Sequence, residues 1–232
     1  MDINKDIDLV PDFPKYVEIQ TTSICNSFCS ICPYGSVEHK FPKLNMEDSL
    51  IDKILDECEH HKDEIECVIP YVNNEPFLDK RMVDILRKIK SKGLKVELST
   101  NASALTEEIA RAIVDENLIH DFRISFFASK KEDYQKLMPR LNYEHVVKNI
   151  KYFADYNRSK GSPIHTNIIM ILLDDMDMQR NIDEAKDLFG IEVRVFGYLD
   201  RAGANEKKNK LLTEEEFSTD KPFIWSTSRT SN

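Results

Sequence analysis

Cys25, Cys29 and Cys32 form the run C-x3-C-x2-C and account for three of the five cysteines in a chain of 232 residues. Thiolates are soft metal ligands and nucleophiles. In a chain without an export signal, clustered thiols point to metal binding or redox chemistry before they point to disulfides. Two thiols would serve a disulfide or a redox pair, and four would close a tetrahedral zinc site. Three can be unrelated small core residues, although Asn26, Ser27 and Ser30 give them polar surroundings. They can hold zinc with a fourth ligand from His39, His60, His61, Cys58 or Cys67. They can also hold three irons of a [4Fe-4S] cube, leaving the fourth iron open to a ligand that is not protein. Cys58 falls on an apolar helical stripe and Cys67 on an apolar strand face, so both read as core.

An open metal site needs a rigid frame. Alternating polar and apolar residues predict strands over 16–20, 64–71, 94–100, 121–127, 164–173 and 191–199. Between them, helical periodicity covers 45–58 with Asn45 as N-cap, and 79–93 with Asp79 to start it and Gly93 to stop it. Three more helices cover 106–117 opened by Thr106, 142–157, and 181–190 closed by Gly190. Strict β-α alternation implies parallel strands under crossover helices. One face of the strands is mostly polar and includes Glu97, Ser99, Arg123, Ser125, His165, Asn167 and Arg194, whereas the other is Val, Leu and Ile. The apolar face must meet the helices, so the polar face lines an interior. The pattern fits an α/β fold, a partial (β/α)6 TIM-like barrel with outer helices that holds a polar ligand. The interior charges Glu97, Arg123, His165 and Arg194 are candidate substrate contacts, or else are paired with one another for structure.

The bulk properties narrow the function classes. Hydrophobic residues make up 41% and charged residues 31%, with a net charge of −9, which disfavours nucleic acid as main partner. No apolar run approaches the roughly 20 residues of a membrane helix. The acidic start "MDINKDIDLVPDF" has no secretory apolar core, so a cytoplasmic location is expected.

The cysteine spacing resembles that of the radical S-adenosylmethionine (radical SAM) enzymes, in which C-x3-C-x-aromatic-C follows the first strand. Further segments carry the resemblance in order. "YVNNEPFLD" (71–79) is similar to the G-G-E-P motif, "LSTNAS" (98–103) to the T-N-G segment, and "ISFFASKKEDYQKLMPRLNYEHVVKNI" (124–150) to the fourth-strand serine, recurrent Arg and helix. "FGYLDRAGA" (196–204) resembles the end of the sixth strand in the subgroup that often carries SPASM or twitch domains. Two departures stand out: Asn73-Asn74 replaces a glycine pair, and Ile31 replaces the aromatic.

The resemblance implies a [4Fe-4S] cluster on Cys25, Cys29 and Cys32, with S-adenosylmethionine chelating the fourth iron. It implies SAM contacts at Asn73, Asn74, Glu75, Pro76, Thr100, Asn101, Ser125, Arg140 and Asn167. It further implies reductive cleavage of SAM to a 5′-deoxyadenosyl radical that takes hydrogen from a small-molecule or peptide substrate, with a reductant such as flavodoxin or ferredoxin. The alternative is a non-catalytic zinc or cluster module on the same barrel. The expected organisation is an N-terminal extension (1–15), the barrel (16–204) and a C-terminal extension (205–232), read as partly disordered or truncated. With no cysteine after Cys67, no auxiliary cluster is expected.

Overall fold

The computed structural model describes residues 13–37, 42–173 and 176–197. His39, the expected C-terminal extension and the stretch after Gly197 lie outside the described residues. The strands are β1 (Tyr16–Glu18), β2 (Cys67–Ile69), β3 (Glu97–Thr100), β4 (Asp121–Ser125), β5 (His165–Ile171) and β6 (Glu192–Phe196). Helices α1 (Tyr34–Val37), α2 (Asp48–His60), α3 (Met82–Ser91), α4 (Glu107–Asp115), α5 (Lys131–Leu137), α6 (Tyr143–Ser159) and α7 (Met178–Phe189) intervene, with a 3-10 turn at Pro76–Leu78.

Every strand pairing is parallel. β1 pairs with β2, and β3 to β6 form a four-stranded sheet in chain order. A parallel bridge between Val68 and Val96 joins the two sheets. This is the α/β arrangement expected from the alternation, with parallel strands and outer helices. The apolar strand face holds Leu98, Phe122, Ile124, Ile168 and Met170, all fully buried. It belongs to one core with Leu86 and Ile89 of α3, Ile113 of α4, and Ile150 and Phe153 of α6. Phe122 meets Phe153 edge-on at 5.0 Å, which anchors α6 on the sheet.

Local cap chemistry sets several helix ends. Thr106 accepts the Ile109 N–H at 3.2 Å, and Asn142 accepts the His145 N–H at 2.8 Å. Gly190 closes α7 in the left-handed region at φ 62°.

Other expectations are corrected. α2 starts at Asp48 after Glu47, not after Asn45, because Asn45 is engaged in an antiparallel bridge with Thr22. On α2, Ile51, Leu55 and Cys58 make the buried face, while Leu50 beside them is 45% exposed. α3 starts three residues after Asp79, whose carboxylate instead accepts the Arg81 backbone N–H and clamps its guanidinium. Cys67 is half-buried, whereas its neighbour Val68 is fully buried.

Candidate metal and cofactor site

The loop after β1 carries the three cysteines, and local bonds shape it. Tyr34 of α1 turns its hydroxyl back to accept the Cys25 N–H at 2.9 Å and to donate to the Ser23 carbonyl at 3.1 Å. The Cys32 N–H donates to the Cys29 carbonyl at 3.0 Å, and the Ser30 N–H donates to Leu137 at the end of α5 at 2.9 Å. All three cysteines border one cavity of about 320 Å³ at the C-terminal ends of the strands. Burial pushes the Cys25 thiol up to about 12 and the Cys29 thiol up to about 11.

The structure brings part of the expected set to this cavity. Asn73, Asn74, Asn101, Ser125 and Arg123 line it together with the cysteines. Asn74 Oδ1 accepts the Val72 N–H at 3.0 Å, while its buried Nδ2 finds no partner among the described residues. Asn26, inside the cysteine run, accepts from Asn101 Nδ2 at 3.0 Å, and so joins the cysteine loop to the end of β3.

Glu75, Pro76 and Thr100 sit behind the cavity wall, all buried. Glu75 is the knot of this layer. Its carboxylate accepts the Thr100 hydroxyl at 2.5 Å, the Asn101 N–H at 2.7 Å and the Phe77 N–H at 3.3 Å. Its backbone N–H reaches the Ile24 carbonyl at 3.0 Å. Burial pushes the Glu75 carboxyl up to about 7, against three donors that favour the anion.

Deeper in the barrel, the charges pair. Arg123 Nη1 donates to Glu97 at 2.6 Å and Nη2 to Asp121 at 2.8 Å. His165, expected inside, is instead exposed at the start of β5, with Nδ1 3.3 Å from Asp121 and 3.5 Å from the buried Asn167 amide. Arg194 is half-buried on β6, opposite Ile169 of β5. Of the four interior charges, only Arg123 reaches the cavity wall.

Arg140 is placed outside the lining. It is exposed, takes φ 71°, and sets its guanidinium 3.3 Å from the ring centroid of Phe28 in the cysteine loop. A left-handed backbone costs a non-glycine residue about 1–2 kcal/mol. A cation–π contact at an exposed site returns only about 0.5–1 kcal/mol.

Sequence reasoning missed Tyr34, Tyr71, Phe127, Met138 and Phe196. Tyr34 cradles the loop, and all five face the cavity. Strand parity signals Phe127, two positions beyond Ser125, and Phe196, two positions beyond Arg194; Tyr34, Tyr71 and Met138 depend on loop paths that no local pattern encodes.

The donor set discriminates among metals. A zinc ion needs its donors to converge on one point at about 2.0–2.3 Å. Among the described residues no three His, Cys, Asp or Glu converge in that way. Three thiols that border one cavity supply the donor set of a cube, whose thiolates sit on separate irons. The remaining polar rim, with an amide donor at Asn74 and hydroxyl and amide groups at Ser125 and Asn101, fits a polar cofactor beside it.

A parallel barrel with a three-cysteine loop at the C-terminal mouth defines a class of cluster-binding α/β protein. Residues 19–185 match the Radical SAM superfamily, and the chain belongs to it. Members of this superfamily use a [4Fe-4S] cluster and S-adenosylmethionine. The chain is 30% identical over 101 residues to the tungsten-containing aldehyde ferredoxin oxidoreductase cofactor-modifying protein of Pyrococcus furiosus, covering 44% of this chain and 28% of that protein.

Its fold is similar to that of Streptococcus suis SuiB bound to the precursor peptide SuiA. The TM-score is 0.70 at 18% identity, over 89% of this chain and 45% of SuiB. It is also similar to native anSMEcpe with bound AdoMet, with a TM-score of 0.61 at 18% identity, over 80% of this chain and 52% of that one. The chain therefore spans about half or less of the length of these relatives. Among the described residues no helix is long and apolar enough to cross a membrane.

Proposed function

We propose that this chain is the cluster-binding and SAM-binding barrel of a radical SAM enzyme. The observation that carries the reading is the shared cavity: Cys25, Cys29 and Cys32 border the same space as Asn73, Asn74, Asn101 and Ser125. When bound, the cluster and SAM supply one-electron cleavage of the sulfonium and hydrogen abstraction from substrate.

The chain's own residues do the rest. The cysteines hold the cluster, and the Tyr34 hydroxyl fixes the Cys25 amide so that the loop keeps its shape. Asn73, Asn74, Asn101 and Ser125 contact SAM from the cavity wall. Glu75, with Pro76 and Thr100 around it, holds the β2 and β3 loops in register. Asn167 supports the floor from β5, and Arg123, held by Glu97, is the interior charge at the cavity wall towards which substrate extends. Apolar Phe127, Ile169, Ile171 and Phe196, which also line the cavity, exclude water from a reactive carbon.

The substrate is a peptide or another small molecule. The SuiB structure, bound to its precursor peptide, favours the peptide. A reductant of the flavodoxin or ferredoxin class supplies the electron. The segment that ends β6 supports placement in the SPASM/twitch-like subgroup, and the barrel over 16–204 is the functional unit. The free cysteines among the described residues suit a reducing, cytoplasmic setting.

Anaerobic reconstitution tests this reading. The protein is expected to bind roughly four irons and, under reduction, to convert SAM to 5′-deoxyadenosine and methionine, and Cys29→Ala is expected to lose both. Retention of both properties by Cys29→Ala would overturn it. Binding of about one zinc without iron or sulfide would favour the non-catalytic module instead.

A further inference from the structure

The contact between Arg140 and Phe28 is unusual on two counts. Arg140 holds a left-handed backbone, φ 71°, at a position where glycine would be unstrained. Its guanidinium lies flat enough on Phe28 to approach within 3.3 Å of the ring centroid. The exposed stack alone returns less than the backbone conformation costs, so folding stability does not account for an arginine here.

Phe28 is the residue that makes the contact meaningful, because it lies between Cys25 and Cys29. Its other side is equally confined. A Cβ on Gly35 would come within 3.0 Å of Phe28 Cδ1, and Tyr34 packs edge-on to its ring at 6.2 Å. The ring is thus held between α1 and the arginine. The same Tyr34 accepts the Cys25 N–H. Just before Arg140, Met138 lines the cavity and Leu137 accepts the Ser30 N–H, so the whole turn after α5 braces the cysteine run.

We infer that Arg140 is a positioning residue which clamps the cysteine loop through Phe28 and places a permanent positive charge against it, at the expense of backbone strain. The inference rests on the cluster reading of the three cysteines. Its chemistry is electrostatic: a reduced cluster carries one more negative charge than an oxidised one, and a nearby guanidinium stabilises the reduced form. The clamp also keeps the thiols at their spacing while metal is exchanged.

Arg140→Gly separates this role from a structural one, since it relieves the left-handed strain while removing the clamp. Metal-free Arg140→Gly is expected to melt no lower than the metal-free wild-type chain. After reconstitution it is expected to lose iron to a chelator several-fold faster and to show a more negative midpoint potential in an EPR-monitored redox titration. Arg140→Lys restores the charge without the flat stack, and is expected to recover the potential more fully than the iron retention. Phe28→Leu is expected to match Arg140→Gly in iron loss. Iron loss and potential equal to wild type in Arg140→Gly would overturn the inference. A wild-type chain that takes up no iron–sulfur cluster would instead overturn the cluster reading beneath it.

Discussion

Glu75 and Thr100 meet at 2.5 Å across the ends of β2 and β3, and neither side chain is open to solvent. This bond and its neighbours make Glu75 the tie among three loops. Glu75→Ala would orphan the Thr100 hydroxyl and the Asn101 N–H, and is expected to cost about 1–3 kcal/mol. The expected pH response is as specific. The folded carboxyl, held up near 7 by burial, keeps its proton above the unfolded value of 4.5. Its stabilising contribution is therefore full below about pH 4.5 and is lost as pH rises through about 7, on the order of 3 kcal/mol. Urea denaturation of metal-free protein at pH 5 and pH 8 is expected to show this loss in wild type and not in Glu75→Gln.

Cys25 and Cys29 are protonated at neutral pH when metal-free, because burial lifts their thiols to about 12 and about 11. Metal ligation needs thiolates, so loading must release these protons. Metal uptake is expected to tighten as pH rises from 7 to 8.5, and to acidify a weakly buffered solution. Uptake that ignores pH would contradict the burial of these thiols.

Arg123 neutralises Glu97 and Asp121 in a part-buried triad. Arg123→Ala leaves Glu97 with its charge nearly out of solvent, and is expected to cost about 2–3 kcal/mol, less than for a fully buried pair because Arg123 keeps some water. Arg123→Lys is expected to recover only part of this, since an ammonium cannot span both carboxylates with a fork. Equal unfolding midpoints for all three proteins would remove the triad from the stability of the barrel.

Gly190 ends α7 at φ 62°, with Arg158 Nη2 only 2.5 Å from where a Cβ would stand. Gly190→Ala is expected to cost about 1–2 kcal/mol. Thermal melting should show a drop of about 2–4 °C per kcal/mol for a chain of this size. The cavity lies at the opposite ends of the strands from this cap, so cluster loading by the variant is expected to match wild type.

Features fixed by close neighbours along the chain are legible from residue types alone. Thr106 and Asn142 are short polar side chains at helix starts, and Gly190 is the residue a left-handed stop requires; all three do what their types predict. The alternation of Leu98 and Ser99, or of Ile124 and Ser125, predicts which strand face meets the helices. Asn45 misleads because a bridge to Thr22, 23 positions back, outcompetes its capping chemistry. Glu75 matches a motif, yet its burial depends on donors 25 and 26 positions away. Tyr34 and the turn at Arg140 depend likewise on how the cysteine loop packs against α1 and α5, which no periodicity records.

The bridge between Val68 and Val96 has a mechanical consequence. β1 and β2 carry the cysteine loop and Asn73-Asn74, whereas β3 to β6 carry Asn101, Arg123 and Ser125. Between these halves the sheet is one bridge wide, with the Val68 N–H donating to Lys95 at 2.8 Å, while β4 and β5 are paired over five residues. The join is a seam between two jaws, and Glu75 is the rivet across it. Amide exchange should be fastest along that seam, at Val68, and slowest at the centre of β4–β5, so that the jaws loosen from each other before either jaw unravels.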